Sequence, residues 1–437
     1  MKSFLNFVFD KPQTYMREEF LHFLWRTRRF DTQNLHTTDG DKINILDFGT
    51  YNTNAGPDFL EAQIRINDIV WVGNIEMHVK ASDWWVHQHQ TNKQYDNVIL
   101  HVVYDDDVLV KSNDGASLAC LVMKKIIPEG IYPKYHALLH TEAWIPCAPH
   151  WQEVPDIVKK LWLPRILVER LALKTSAIAM RLAENKNDWE ETFWHFTARY
   201  FGSKVNDTPM EWLAQSVPHL VLAKLKNNLF ALEALLFGQA GFLTDDLKDD
   251  YGLSLKKEYD FLRVKYGLQP LVVTVFQKSR MRPSGFPETK IALLAALIHK
   301  SSHLFSKVLE AGDINALKNL FEVSASAYWK THYVFDKISP ATEKNLGKQT
   351  VTSLLINVVA PFIFHYGQTR NDENIKERAV QLLHNIKPEK NNIIDKWETL
   401  IPDIDSAAQT QALIHLKQNY CDNKKCLNCA IGTAILK

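Results

Sequence analysis

The spacing of apolar residues changes once along the chain, and that change limits the folds it can adopt. Before about Pro149, several segments alternate apolar with polar residues, as half-buried β-strands do. Beyond Pro149, apolar residues recur at the spacing of amphipathic helices. A chain of 437 residues also exceeds what one small core can use. We therefore predict an α+β protein with a mixed α/β domain at 1–149, a larger all-helical domain at 150–416 and a cysteine-containing tail at 417–437.

The first part of the chain predicts a helix, three strands, a second helix and a fourth strand, and a further strand after these. Asn67 and Asp68 supply turn chemistry between two alternating segments, which predicts a hairpin. Ser82 and Asp83 are good N-caps for the second helix, and the continuous apolar run after that helix is typical of a buried strand. The predicted elements are a helix at 16–30, strands at 42–49, 58–66 and 69–80, a helix at 82–95, and strands at 97–104 and 116–124.

The net charge and the apolar runs of the sequence argue against a uniformly basic nucleic-acid-binding protein and against a membrane-spanning protein. A formal net charge of +1 means that any contact with nucleic acid must rest on a local basic patch. The most apolar run, at 351–367, is interrupted by Asn357 and Pro361 and is shorter than the ~18–20 residues of a membrane span. It predicts a buried helix that stops near its proline. The first residues lack a small-residue cleavage site, so we expect no signal peptide and a cytoplasmic protein without membrane contact.

The predicted hairpin collects side chains that are suited to metal-dependent chemistry. On a strand, residues two apart share a face, so Glu76, His78 and Lys80 project together. Asp58 begins the paired strand and is expected to meet this row at one end of the hairpin. Two carboxylates and an imidazole would suit Mg²⁺ or Mn²⁺, and the lysine could position water or stabilise charge on a phosphate. The alternative is that the row is only the solvent face of a half-buried sheet.

Two short motifs on this hairpin resemble those of a known superfamily. Gly56–Phe59, "GPDF", is followed by Glu76–Lys80, "EMHVK", and this pair resembles the signature of the PD-(D/E)xK nucleases. The order helix, three strands, helix, strand also resembles the restriction-endonuclease-like core of that superfamily. The resemblance implies a nuclease that acts on DNA or RNA, with Asp58 as a metal ligand and Lys80 as the catalytic lysine.

The chain departs from this signature at one position. The residue two before Lys80, normally acidic, is His78, and the acid stands four before it, at Glu76. Either Glu76 has taken the ligand role from the same strand face, or the site is altered or inactive. The superfamily often adds a glutamate from its first helix, which the resemblance assigns to Glu18 or Glu19.

Two further histidines follow the hairpin, in the predicted second helix. His87 and His89 are two residues apart, and residues at that spacing on a helix point to different sides. We therefore expect at most one of them to serve a metal or a phosphate. A surface position is the alternative for both.

The cysteines predict a second metal site. Cys421, Cys426 and Cys429 have the spacing C-x4-C-x2-C, and thiols this close in a cytosolic chain usually hold a metal. Cys147 is the best candidate for a fourth ligand, with zinc and an iron–sulfur cluster both open. The alternative is three thiols without a metal. Cys120 lies in a predicted apolar strand and is expected to be buried and inert.

Segments along nearly the whole chain are similar to one uncharacterised bacterial family, domain-of-unknown-function family 2851. The resemblance is carried by "NAGPDFLEAQI", "GNIEMHVKASDW", "RMRPSGFP" and "YCDNKKCLNCAIG", among others, and implies no activity. The sequence therefore predicts a metal-dependent phosphodiesterase acting on DNA or RNA, with a helical domain that supplies the substrate channel. The alternative is a non-catalytic nucleic-acid-binding or scaffold protein with a degenerate nuclease fold.

Overall fold

The structure is a computed structural model that describes residues 16–112, 115–301 and 303–437. The residues on which the absence of a signal peptide was predicted, 1–13, lie outside the described residues. The chain forms two compact units. The first contains residues 16–159 and also Asn419–Lys437, and the second contains Lys160–Gln418. The second unit is therefore an insertion in the first, and nearly all of the predicted separate tail belongs to the first unit.

The first unit is a mixed sheet with helices, which confirms the α+β class. Its helices end at recognisable stop signals; the first, for example, is closed by Arg28 in the left-handed conformation. Its elements are α1 (Glu18–Thr27), β1 (Leu35–His36), β2 (Lys42–Asp47), β3 (Thr50–Tyr51), β4 (Phe59–Ile66), β5 (Ile69–Lys80), α2 (Asp83–Val86), β6 (Val98–Asp105), β7 (Cys120–Val122) and α3 (Ile131–His140).

The sheet has the strand order β1-β2-β4-β5-β6-β7, and β3 pairs with β4. Strands β4 and β5 form an antiparallel hairpin in which Ile66 lies opposite Ile69, across the predicted turn. Strand β5 pairs in parallel with β6, so the intervening segment must cross over the sheet. That crossover carries α2 and brings its side chains back over the last residues of β5.

The hairpin is exposed at its tip and buried at its base. Ile69–Val72 are exposed apolar residues at the tip. Toward the base, the exposed fractions of Glu76 and His78 are 5% and 0%. The solvent-face alternative is therefore wrong for these two residues. They lie inside the unit, where a polar group needs a partner.

The predicted helix at 82–95 is much shorter in the structure. Helix α2 ends at Val86, and two 3₁₀ turns follow at His89–Thr91 and Lys93–Tyr95. The break falls at Gln88, which has φ +59° and is left-handed. A left-handed residue cannot continue a right-handed helix, so the direction of the chain changes between His87 and His89.

The second unit is helical, apart from a short two-stranded hairpin. Its central helices α8 and α10 are buried nearly all round, as expected for the core of a large helical unit. Its elements are α4 (Asp156–Glu184, which begins in the first unit), α5 (Trp189–Phe201), α6 (Ser203–Gln215), α7 (His219–Leu225), α8 (Leu229–Gln239), α9 (Asp250–Tyr266), α10 (Pro287–Lys300), α11 (Leu304–Glu310), α12 (Ile314–Leu320), β8 (His332–Val334), β9 (Lys337–Ile338), α13 (Lys348–Leu354), α14 (Ala360–Arg370), α15 (Glu373–His384), α16 (Asn392–Glu398) and α17 (Ala407–His415); α18 (Ala430–Ile435) lies in the returning part of the first unit.

The apolar run predicted to stop near Pro361 continues through it instead. A π-helical turn at Leu355–Val359 joins α13 to α14, which places Pro361 in the first turn of α14. Pro361 has no backbone N–H to donate, and the helix accommodates it just after the π-helical turn, where the regular hydrogen-bond ladder is already interrupted. The combined helix, Lys348–Arg370, is long and apolar enough to cross a membrane, but 72% of its most apolar window is buried inside the protein. Such burial is expected of a core helix.

Candidate metal centre

Asp58 and Glu76 are held to each other at the base of the β4–β5 hairpin. The backbone N–H of Asp58 donates to Oε2 of Glu76 over 3.2 Å, and the backbone N–H of Met77 donates to Oδ2 of Asp58 over 2.9 Å. His22, from α1, places Nε2 3.1 Å from the same Asp58 oxygen. The structure thus brings together the two carboxylates that the sequence predicted would meet.

Two histidines lie beside the remaining oxygen of Glu76, and a third lies beside one of those histidines. Nε2 of His89 lies 3.1 Å and Nε2 of His78 lies 3.6 Å from Oε1 of Glu76. Nε2 of His78 also lies 3.1 Å from Nδ1 of His87. One ring nitrogen from each histidine lies within 4.8 Å of the other two. We call Glu76, His78, His87 and His89 the His-Glu cluster.

Three contacts within the His-Glu cluster have the spacing of ligands around one metal ion. Nitrogen and oxygen ligands at ~2.0 Å from a tetrahedral ion are about 3.3 Å apart. The three contacts given above lie between 3.1 and 3.6 Å. The ligand atoms that all lie within 4.8 Å of one another belong to the three histidines, and Glu76 lies beside two of these. Nε2 of His89 is buried and, among the described residues, has no partner in hydrogen-bond geometry despite its closeness to Glu76.

A second layer of residues holds the rings of the cluster in place. Nε2 of His101, on β6, lies 2.8 Å from Nδ1 of His78, on the side of the ring away from the cluster. Tyr95 stacks on His89 with a centroid distance of 3.8 Å. Histidines that bind metals are normally oriented by a partner on their other ring nitrogen, and His101 has that position relative to His78.

Burial makes the cluster a set of uncharged donors. Burial first, and then the neighbouring imidazoles of His101 and His89, lower the pKa of His78 to about 2. Burial likewise lowers the pKa of His101 to about 3. The pKa of Glu76 is raised, first by burial and then by the negative charge of Asp58. Neutral imidazoles keep a lone pair that can bind a metal. A divalent cation would also offset the negative charges that Glu76 and Asp58 carry when they are ionised.

Both His87 and His89 lie close to His78, so the premise that they point to different sides is wrong, while the number of them that serves a metal stays a prediction. That premise assumed a continuous helix. The left-handed Gln88 between them turns the chain, and the two rings then approach His78 from α2 and from the following turn. The sequence signal for this break is weak, since glutamine is uncommon at positive φ.

The remaining predicted site residues, Lys80, Glu18 and Glu19, differ in their exposure and in their partners. Lys80 is exposed, and its backbone N–H donates to Asp83 while its charge interacts with Asp107. Glu18 is half-buried, and burial raises its pKa; it also interacts with His87 and with Asp58. Glu19 is exposed on the neighbouring position of α1. Of the two candidate glutamates, Glu18 is therefore the one that faces the cluster.

Two residues near the site were missed by sequence reasoning. His22 lies four residues after Glu18 in α1, and this spacing places both on one helical face. His101 is the one histidine within the apolar run of β6, where a polar side chain needs a buried partner. Both signals exist in the sequence, but neither identifies the partner.

A basic cavity lies beside His22 and Tyr51 in the same unit. Arg17, Arg26 and the neighbouring lysines 424 and 425 contribute to its lining. Several cations around one concave surface attract anionic ligands such as phosphates. The cavity adjoins the side of Asp58 that contacts His22.

The predicted cysteine ligands also come together. Cys147, Cys421, Cys426 and Cys429 line one small cavity of the first unit. Cys120 is buried in β7, as expected. His150, which follows Cys147, pairs with Glu153 at 3.1 Å.

The fold and the site define an α+β protein with a cluster of three histidines that could hold a metal ion, beside a buried glutamate. The chain belongs to the family described as "Protein of unknown function (DUF2851)", whose model matches residues 18–392. The matched range includes the whole His-Glu cluster. Comparisons with curated proteins and with solved structures found no match.

Proposed function

We propose that the protein is a metal-dependent phosphodiesterase that cleaves nucleic acid at the His-Glu cluster. The observation that carries the proposal is the trio His78, His87 and His89, whose ring nitrogens lie within 4.8 Å of one another, with the Glu76 carboxylate beside two of them. Carboxylates favour Mg²⁺ or Mn²⁺, the ions expected from the sequence. Three imidazoles favour Zn²⁺ instead, so Mg²⁺ is the weakest of the three candidates. Such an ion supplies a bound water of lowered pKa and polarises a phosphoryl oxygen.

The residues around the cluster have separate roles in this proposal. Asp58, which contacts His22 at 3.1 Å, is placed to accept a proton from an attacking water. Glu18 adds a third carboxyl group on the same side. Lys80 extends from the same strand, where its flexible side chain would bind a substrate phosphate as that phosphate enters.

Two features support nucleic acid as the substrate. The basic cavity beside His22 would bind phosphates that flank the scissile bond. The order α1, β2, β4, β5, α2, β6, with an antiparallel hairpin followed by a parallel strand, is compatible with the restriction-endonuclease-like core that the sequence resembles. The assignment of that core, and of DNA or RNA as the substrate, is part of the proposal.

The test is cleavage of labelled single- and double-stranded DNA and RNA with Zn²⁺, Mn²⁺ or Mg²⁺. Glu76→Gln should abolish metal-dependent cleavage, because it removes a charged ligand while keeping the shape of the side chain. Glu61→Gln, on the exposed face of β4, is the matched control and should cleave as wild type does. Equal cleavage by wild type and Glu76→Gln would contradict the proposal.

A second candidate function is binding of nucleic acid without cleavage. The exposed position of Lys80 and its interaction with Asp107 favour it, because a catalytic lysine should act at the metal. Lys80→Ala separates the two. Loss of cleavage with unchanged metal affinity supports catalysis, and binding of nucleic acid without cleavage by wild type under all three metals supports the second function.

A further inference from the structure

Four of the five cysteines meet at one place, although they lie far apart in the sequence. Cys147 precedes the 3₁₀ helix Ala148–Glu153, and Cys421, Cys426 and Cys429 belong to the segment that returns from the helical unit. All four line a single cavity. A chance meeting of four soft ligands around one cavity is improbable in a chain with only five cysteines.

Three of the four cysteines are shielded from solvent. Cys147, Cys426 and Cys429 are buried. Burial raises the pKa of Cys147 and of Cys426 to about 12. Without a metal these sulfur atoms are therefore neutral thiols, and a metal would bind by displacing their protons. The observation that supports a site is that all four side chains line one cavity.

The spacing of the cysteines in the sequence favours a cluster over a single ion. Structural zinc sites are typically built from pairs of close ligands. Here three close cysteines, Cys421, Cys426 and Cys429, are joined by one distant cysteine, Cys147. Three close thiolates with one distant thiolate are typical of ferredoxin-type iron–sulfur clusters.

We propose that Cys147, Cys421, Cys426 and Cys429 bind an iron–sulfur cluster in this cavity. Three cysteines at C-x4-C-x2-C spacing with one distant partner are a known pattern for such clusters. Gly432 lines the same cavity, and a Cβ atom there would lie 2.4 Å from the carbonyl oxygen of Cys426. The returning segment is thus packed too tightly at this point for any other residue type.

The cluster would fasten the returning segment to the first unit. Three side-chain hydrogen bonds already hold that segment. Arg26 donates to Oδ1 of Asn428 over 3.2 Å, and Arg29 donates to the carbonyl oxygen of Thr433 over 2.9 Å. Lys424 donates to the carbonyl oxygen of Thr141 over 3.2 Å. A metal bond from Cys147 adds a covalent-like link to these hydrogen bonds, and its contribution is to folding. This role is independent of the His-Glu cluster.

The first test is the composition of the full-length wild-type protein purified without oxygen. Iron and acid-labile sulfide should be present in a one-to-one ratio, with about two or four of each per chain, and a visible absorption band should be bleached by dithionite. Zinc at one equivalent without sulfide would overturn the proposal. So would a protein that binds neither iron nor sulfide, even after reconstitution with both.

Cysteine variants then test the assignment of ligands. Cys147→Ser and Cys426→Ser should each lose most of the iron and sulfide. Cys120→Ser is the matched control, since Cys120 is also buried but lies in β7 away from the cavity, and it should keep the wild-type content. Equal retention in all three variants would overturn the assignment. Circular dichroism identifies any variant that fails to fold, and the wild-type composition stands as a test without the variants.

Discussion

The Nε2 atom of His78 lies 3.1 Å from the Nδ1 atom of His87, although the two residues belong to different elements. His78 is fixed in the sheet, with His101 on its other ring nitrogen. His87 directly follows α2 as its C-cap and is exposed, so its ring approaches from the solvent side. One histidine of the His-Glu cluster is therefore buried and held by a partner, and another can be removed without disturbing the core.

His87→Ala is the sharpest test of metal binding, because the residue is exposed and the fold should tolerate the change. We expect the affinity for Zn²⁺ and Mn²⁺ to fall at least ~10-fold, since losing a ligand costs no less than losing a supporting residue. Isothermal titration calorimetry measures this. His36→Ala, an exposed histidine on β1, is the control and should keep the wild-type affinity. Equal affinities for both variants would remove His87 from the cluster.

His101→Leu tests the second layer. It keeps an apolar volume in β6 but removes the partner 2.8 Å from Nδ1 of His78. We expect the metal affinity to fall by ~10–100-fold while the four cluster residues remain. Competition with a chromogenic chelator would measure the loss. An unchanged affinity would show that packing alone orients His78.

The hairpin was predictable because its pattern is local. The predicted strands 58–66 and 69–80 correspond to Phe59–Ile66 and Ile69–Lys80, since alternation and a two-residue turn determine both length and register. The same alternation places Glu76 beside His78. It does not reveal whether that face meets solvent or protein, because burial depends on the crossover segment above it.

The rest of the site depends on contacts that no local pattern encodes. Gln88 adopts a left-handed conformation although its type rarely does, and this alone brings His87 and His89 to one place. The choice between Glu18 and Glu19 depends on the rotation of α1 against the sheet. The approach of Cys147 to the three later cysteines depends on how the chain returns to the first unit. These are tertiary choices, and a single sequence leaves them open.

Lys174 should make the stability of the protein depend on pH. Its amine donates to Oδ1 of Asn357 over 2.8 Å and to Oε1 of Gln411 over 3.1 Å. Burial first, and then the charge of Arg170, lower the pKa of Lys174 to about 7, against the opposing effect of Glu389. Between pH 7 and about 10.4, the unfolded chain therefore binds a proton that the folded protein does not, so folded stability rises with pH.

Lys174→Met removes this titration. We expect the variant's Tm minus the wild-type Tm to fall as the pH rises from about 6.5 to about 9.5, because only wild type gains stability over that window. Lys204→Met, at an exposed lysine of α6, is the control and should show a constant difference. A constant difference for Lys174→Met as well would show that the amine stays charged in the folded protein.

Gly238 tests the packing of the helical unit. A Cβ atom on Gly238 would lie 2.0 Å from the ring of Tyr259, so Gly238→Ala must displace that ring. Overpacking of this kind costs ~1–3 kcal/mol, which outweighs the gain of about 1 kcal/mol from alanine in a helix. Chemical denaturation should show a lower midpoint. Gly312→Ala, where nothing lies within 4 Å of the added atom, should be neutral, and equal midpoints for the two would contradict the close contact.

The insertion of Lys160–Gln418 within the first unit has a consequence for biosynthesis. A ribosome delivers the strands of the sheet early, but Asn419–Lys437 emerges only after the whole helical unit has been made. At typical elongation rates of ~5–20 residues per second, that interval is at least about ten seconds. During this interval the first unit lacks three of its cysteines and the contacts that the last segment makes with Arg26 and Arg29. The nascent chain must therefore persist as an incomplete intermediate, a natural client for chaperones, until its last segment arrives.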